Sequence, residues 1–181
     1  MNNWINIAFY QVTWLAAIAG AARGWWWAGP AMLAAFALWQ LAVSRQRVAD
    51  VELMFCAAVV GFAVDTACVR GGMLVYAAPV PSPDFAPVWI VALWMSFALT
   101  LNHSLAWLKR RLLLAAWLGA IGAPLAYWAA ARGWSAVSFA APPATALGAL
   151  AIAWAILAPA LCVLARHLAH DNRPQPVLRG A

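Results

Sequence analysis

The stretch over residues 87–111, PVWIVALWMSFALTLNHSLAWLKRR, constrains the fold more than any other part of the chain. It is long enough to cross a bilayer, for which about 20 apolar residues suffice. It begins at a proline and stops at Lys109, Arg110 and Arg111. Near its charged end it carries Asn102, His103 and Ser104, which an inert anchor would not need. Comparable apolar segments recur along the 181 residues, of which 67% are hydrophobic and only 9% charged. Soluble domains carry about 25% charged residues, so lipid is the expected solvent. The expected fold class is all-α: a polytopic integral membrane protein, built as a bundle of six transmembrane helices.

Helices are expected over residues 3–22, 27–43, 51–69, 87–108, 112–131 and 144–168. One bundle over residues 1–169 and a disordered cytoplasmic tail over 170–181 account for the whole chain, with no second domain. In the first helix Asn3, Asn6, Tyr10 and Thr13 follow helical spacing, a polar face that should turn towards other helices. Trp25, Trp26 and Trp27 stand at a helix junction, where half-apolar rings suit a membrane interface. Pro79, Pro81 and Pro83 exclude a helix interior after the third helix, so residues 71–86 should form a cap. Ala115, Gly119 and Ala123 make a small-residue row for close helix packing, and Pro124 should kink the fifth helix.

Charge sets orientation. Arg45, Arg47, Lys109, Arg110, Arg111, Arg166, Arg173 and Arg179 fall on one side of the six helices; Arg23, Arg70 and Arg132 fall on the other. The side richer in Lys and Arg faces the cytoplasm, which puts both termini there. The net charge of +6 therefore reflects membrane orientation, and no nucleic-acid partner is expected. Cys56, Cys68 and Cys162 lie inside apolar segments, where each reads as a small hydrophobe. Arg23-Gly24, Arg70-Gly71 and Arg132-Gly133 close the odd-numbered helices; each glycine is expected in the left-handed cap conformation, or the three mark duplicated hairpins.

Charged groups inside spans are costly and usually face the bundle interior. Asp65 is expected to pair with Arg70, five residues on. Ser96, Thr100, His103 and Ser104 share one helical face, with Asn102 about 100° away from His103. Glu52 is expected at the depth of His103, so a His103–Glu52 pair is the candidate for proton transfer or headgroup binding. Asn6, Thr100, Asn102, His103, Asp65 and Arg70 are the candidate ligand-binding residues; Glu52 and His103 are the catalytic candidates. The bland alternative is that these groups only satisfy one another. His167, His170 and Asp171 have helical spacing at the end of the sixth helix but are too few for a metal site, so no metal and no cofactor is expected.

The run PVWIVALWMSFALTLNHSLAWL, with Glu52-Leu53 and the segment over residues 61–65, resembles a family of small bacterial inner-membrane proteins of unknown function. GAPLAYWAAARGW, at the end of the fifth helix, is similar to the same family. The resemblance covers the third to fifth helices best. It implies a multi-helix protein of the bacterial inner membrane in a lipid-related setting, and transfers no catalytic residue. The expected function is to bind, move or help modify a lipid or apolar small molecule. The alternatives are an intramembrane enzyme using the His–carboxylate pair, and a structural subunit that scaffolds other membrane proteins. Membrane lipids are the expected partners, with an oligomer or a partner subunit also compatible.

Overall fold

The computed structural model describes residues 3–171. Among them are six helices: α1 (Asn3–Ala21), α2 (Ala28–Val43), α3 (Arg47–Arg70), α4 (Val88–Leu101), α5 (Leu112–Trp134) and α6 (Pro143–Asp171). Four segments, Asn3–Ala21, Arg47–Arg70, Leu112–Trp134 and Pro143–Ala169, are long and apolar enough to cross a membrane; α2 and α4 are shorter. A 3₁₀ helix, Ala106–Arg110, links α4 to α5. Of the tail expected over residues 170–181, residues 170 and 171 continue α6, and residues 172–181, with Arg173 and Arg179, lie outside the described residues.

Unlike a water-soluble protein, the bundle is apolar on its surface as well as in its core, and its interior holds a minority of polar groups. Asn6, Thr13, Gln40, Asp50, Asp65, Ser96 and Thr100 are buried, while Leu38, Phe55, Trp117, Ile121, Leu125, Ile152 and Ile156 are exposed. Such a surface is what a bilayer core accepts, and the buried polar groups must find partners inside. Helix α4 packs against α1, α2, α3 and α6, and α5 pairs with α6. Gly119, in the expected small-residue row, makes the second pairing close: a Cβ there would stand 2.5 Å from the Trp154 carbonyl.

The start of α1, the end of α2, the start of α3 and the end of α4 meet at one end of the bundle, through Asn6, Gln40, Asp50 and Asn102. Arg45, Arg47, Lys109, Arg110, Arg111 and Arg166 belong to this cation-rich end. The opposite end is capped by a two-stranded antiparallel sheet, β1 (Leu74–Tyr76) with β2 (Val137–Phe139), which pairs Val75 with Ser138. The three prolines keep the 71–86 connection non-helical as expected, but the sheet joining it to the α5–α6 connection has no signal in a three-residue run of either segment.

Four boundaries and the glycine caps differ from expectation: α5 runs on to Trp134 and α6 to Asp171, each three residues past the expected end, and two others move further. Helix α3 begins at Arg47, not residue 51, because Ser44 closes α2 and its Oγ accepts the Gln46 N–H at 2.9 Å. Helix α4 ends at Leu101, not residue 108: the Thr100 carbonyl takes both the His103 and Leu105 amides, tightening the chain into a turn. Of the Arg-Gly pairs, only Gly24 takes a positive φ; Gly72 and Ser135 take it at the other two sites, and Gly133 stays inside α5.

Candidate functional site

Three features concentrate the chemistry: two buried carboxylates on α3 and an apolar cleft between other helices. Asp50 and Asp65 stand 15 residues apart, about 22 Å along the helix and within about 60° of the same face. Neither is exposed to solvent.

Asp50 lies in the first turn of α3, where the helix dipole favours an anion. Ser44 Oγ donates to its Oδ2 at 2.6 Å and Asn102 Nδ2 to its Oδ1 at 2.9 Å. His103 Nε2 stands 2.9 Å from Oδ2. A carboxylate only accepts, so Nε2 carries the proton of that bond. Lys109 Nζ donates to Asn102 Oδ1 at 2.8 Å, fixing which way the amide points. The expected partner of His103, Glu52, is exposed on α3, and Asp50 takes the place assigned to it. The early start of α3 puts Asp50 inside the helix, and the early end of α4 swings Asn102 and His103 to the same carboxylate. The expected divergence of Asn102 from His103 fails for that reason.

Asn6 is beside this network. Its Nδ2 donates to Gln40 Oε1 at 2.6 Å and to the Leu99 carbonyl at 3.1 Å, and Ser104 Oγ donates to its Oδ1. Because α4 stops, Leu99 is one of the carbonyls left without an intrahelical donor, and Asn6 supplies one. Thr100 and Ser96 donate to the Phe97 and Ala92 carbonyls of their own helix. The polar face of α4 therefore turns inward as expected, with every described group engaged.

Asp65 sits near the capped end. Tyr76 donates to Oδ1 at 2.6 Å, Tyr127 to Oδ1 at 2.5 Å, and Trp94 Nε1 to Oδ2 at 2.7 Å. Arg70 is not among the partners. Its Nε reaches the Asp84 carbonyl at 3.4 Å and its guanidinium lies 4.5 Å from the Phe85 ring centroid. Five residues carry Arg70 past the buried face to the exposed end of the helix. Gly61, one turn before Asp65, admits Trp94: a Cβ there would stand 2.2 Å from the indole. Burial pushes the Tyr76 phenol, which lies in β1, well above its ordinary 10.0, and the neighbouring Asp65 adds to the rise.

The cleft has a volume of about 280 Å³ and is walled by α1, α4, α5 and α6. Tyr10, Trp14, Trp94, Phe97 and Trp154 supply its aromatic wall, and Gly119, Gly122 and Ala126 its small-residue wall. Ala115 and Ala130 lie near its two ends, about 22 Å apart along α5. That length against that volume makes it a narrow slot. Of the sequence candidates, Asn6, Glu52, Asp65, Arg70, Thr100, Asn102 and His103 are all absent from its lining; Trp94 and Tyr127 connect the cleft to Asp65. Sequence reasoning missed Asp50, Ser44, Gln40, Tyr76, Trp94 and Tyr127. Asp50 had a signal, an acid in a helix first turn; the aromatic donors had none beyond a polar tip on a large ring.

The three cysteines are free, Cys162 buried and the others half-buried. Among the described residues no group of His, Cys, Asp and Glu could hold a metal ion. A family model described as Protein of unknown function (DUF2878) matches residues 3–160, well beyond the central helices. No curated protein and no solved structure matches.

Proposed function

The chain belongs to that family, and we propose that it is a multi-pass protein of the bacterial inner membrane that binds a lipid or other apolar chain in the cleft between α1, α4, α5 and α6. The cleft carries this reading. Its volume of about 280 Å³ falls near the lower bound of small-molecule sites, about 300 Å³. Its wall includes Leu118 and Gly122, which are exposed on the flank of α5, so a chain enters sideways from the bilayer.

The test fills the slot. Gly122 has open space where a Cβ would stand, so Gly122→Leu adds bulk to the cleft without a backbone clash. Native mass spectrometry of protein released from mild detergent should show a retained apolar species in the wild type and its loss in Gly122→Leu. Equal retention in a folded Gly122→Leu protein overturns the proposal. Orientation is tested separately. In a cysteine-free background, Ser138→Cys should react with an impermeant thiol reagent in spheroplasts and Gln46→Cys should not; the reverse pattern inverts the topology.

The His103–Asp50 pair favours a second reading, an intramembrane enzyme. Asp50 already accepts from Ser44 and Asn102, and none of these residues lines the cleft. The enzyme reading therefore requires His103→Gln to abolish a lipid change in cells while leaving the retained species in place; full complementation by that variant removes it.

A further inference from the structure

The cleft is mostly apolar, and its wall includes Trp154, whose buried Nε1 has no hydrogen-bond partner among the described residues. Its two mouths differ. At the capped end it closes against Trp89, Tyr127 and Val137. At the other end it closes against Leu105, Leu108, Ala115 and Cys162. Lys109, Arg110 and Arg111 follow Leu108 directly, and Arg111 is one turn from Ala115, whose amide bonds its carbonyl at 2.9 Å. Arg166 is one turn beyond Cys162, and its guanidinium reaches the Lys109 carbonyl at 3.4 Å. Arg110, Arg111 and Arg166 are exposed, while Lys109 is half-buried and turned to Asn102. At this end the described acids are Asp50, engaged by Ser44, Asn102 and His103, then Glu52, and Asp171 at the end of α6.

Resting on the cleft as a chain-binding slot, we infer that its occupant is an acidic phospholipid, with one acyl chain in the slot and its phosphate at the mouth formed by Arg110, Arg111 and Arg166. Guanidinium groups present paired donors that match phosphate oxygens. Clustered cations beside a membrane span attract acidic lipid headgroups. The slot's volume of about 280 Å³ takes part of one acyl chain, and its lateral opening beside Leu118 and Gly122 leaves the rest of the lipid in the bilayer. Cations flanking any span attract acidic lipid loosely. Here each lies within about one helical turn of a residue lining that end of the slot, Leu108, Ala115 or Cys162, and this combination makes a defined site.

The experiment uses full-length protein in nanodiscs of equal phosphatidylglycerol and phosphatidylethanolamine with identical acyl chains, with palmitate added in a parallel arm. Lipid retained after release is read by native mass spectrometry. The wild type should retain one phosphatidylglycerol with a preference of at least about tenfold. Arg110→Gln/Arg111→Gln/Arg166→Gln should retain a lipid but lose most of that preference. Gly122→Leu should lose both lipids, and Ala126→Leu serves in its place if that variant does not fold. Three results overturn the inference: equal retention of the two lipids by the wild type, displacement of phospholipid by palmitate, or a preference that survives filling of the slot. The first two leave the chain-binding slot standing if Gly122→Leu still empties it. The third removes the slot as well.

Discussion

The two carboxylates of α3 solve the same problem in opposite ways. Both are fully buried in an apolar bundle, where an unsatisfied acid is costly. Asp50 lies among polar partners drawn from chain ends: Ser44 where α2 closes, and Asn102 and His103 where α4 closes. Those side chains are small polar groups at chain turns, close to one end of the bundle. Asp65 lies near the capped end between three aromatic donors, each from a different element: Tyr76 from β1, Trp94 from α4 and Tyr127 from α5. Their rings also build the packing, since Trp94 stacks on Trp154 at 4.3 Å and Tyr76 meets Trp89 edge-on at 5.6 Å. Asp50 pins chain turns; Asp65 fastens the cap and one wall of the cleft. A buried acid is thus not by itself a mark of chemistry. What distinguishes the two is whether the donors can be spared.

The largest expected effect tests that distinction directly. Asp65→Leu strands two phenols and an indole N–H, and each stranded donor costs roughly 1–3 kcal/mol. A loss of about 3 kcal/mol or more should appear in detergent melting, with Asp50→Leu losing clearly less. Equal losses would break the comparison. Arg70→Ala should add to Asp65→Leu without coupling, because Arg70 serves Phe85 and the Asp84 carbonyl.

An intermediate effect separates Asp50 from Glu52 at the cation-rich end. His103→Gln replaces one donor to Asp50 and should cost about 1–2 kcal/mol. Glu52→Gln changes an exposed position and should stay within about 0.5 kcal/mol. A greater loss from Glu52→Gln would restore the pairing expected from the sequence.

The smallest effect concerns alkaline pH. The Tyr76 phenol holds its proton above its ordinary 10.0 in the folded protein. Its contribution is therefore complete below about pH 10, where the unfolded phenol is also protonated, and is lost as pH rises towards the folded value. Melting curves of the wild type should fall more steeply above pH 10 than those of Tyr76→Phe. Parallel curves would mean that the Tyr76 phenol ionises as readily in the fold as in the open chain.

Local pattern carried much of the architecture. The 3.6-residue period and the run lengths were enough for six helices, since helix formation needs only contacts within one segment. The prolines of the 71–86 connection, the inward face of Ser96 and Thr100, and the close α5–α6 approach at Gly119 were legible for the same reason. The pairing of His103 was not. It turned on a helix starting at Arg47 and another stopping at Leu101, boundaries set by bonds between segments, such as Asn6 to the Leu99 carbonyl. Asp65 looked paired with Arg70 because both lie on one helix; its true donors come from elements 11, 29 and 62 residues away. The cleft was illegible altogether, because a void has no residues of its own. The chain by itself determined the helices, the apolar surface and the end at which cations collect. Tertiary packing alone decided which donors met each acid and where the helices left space, because both depend on distances between segments that no local pattern encodes.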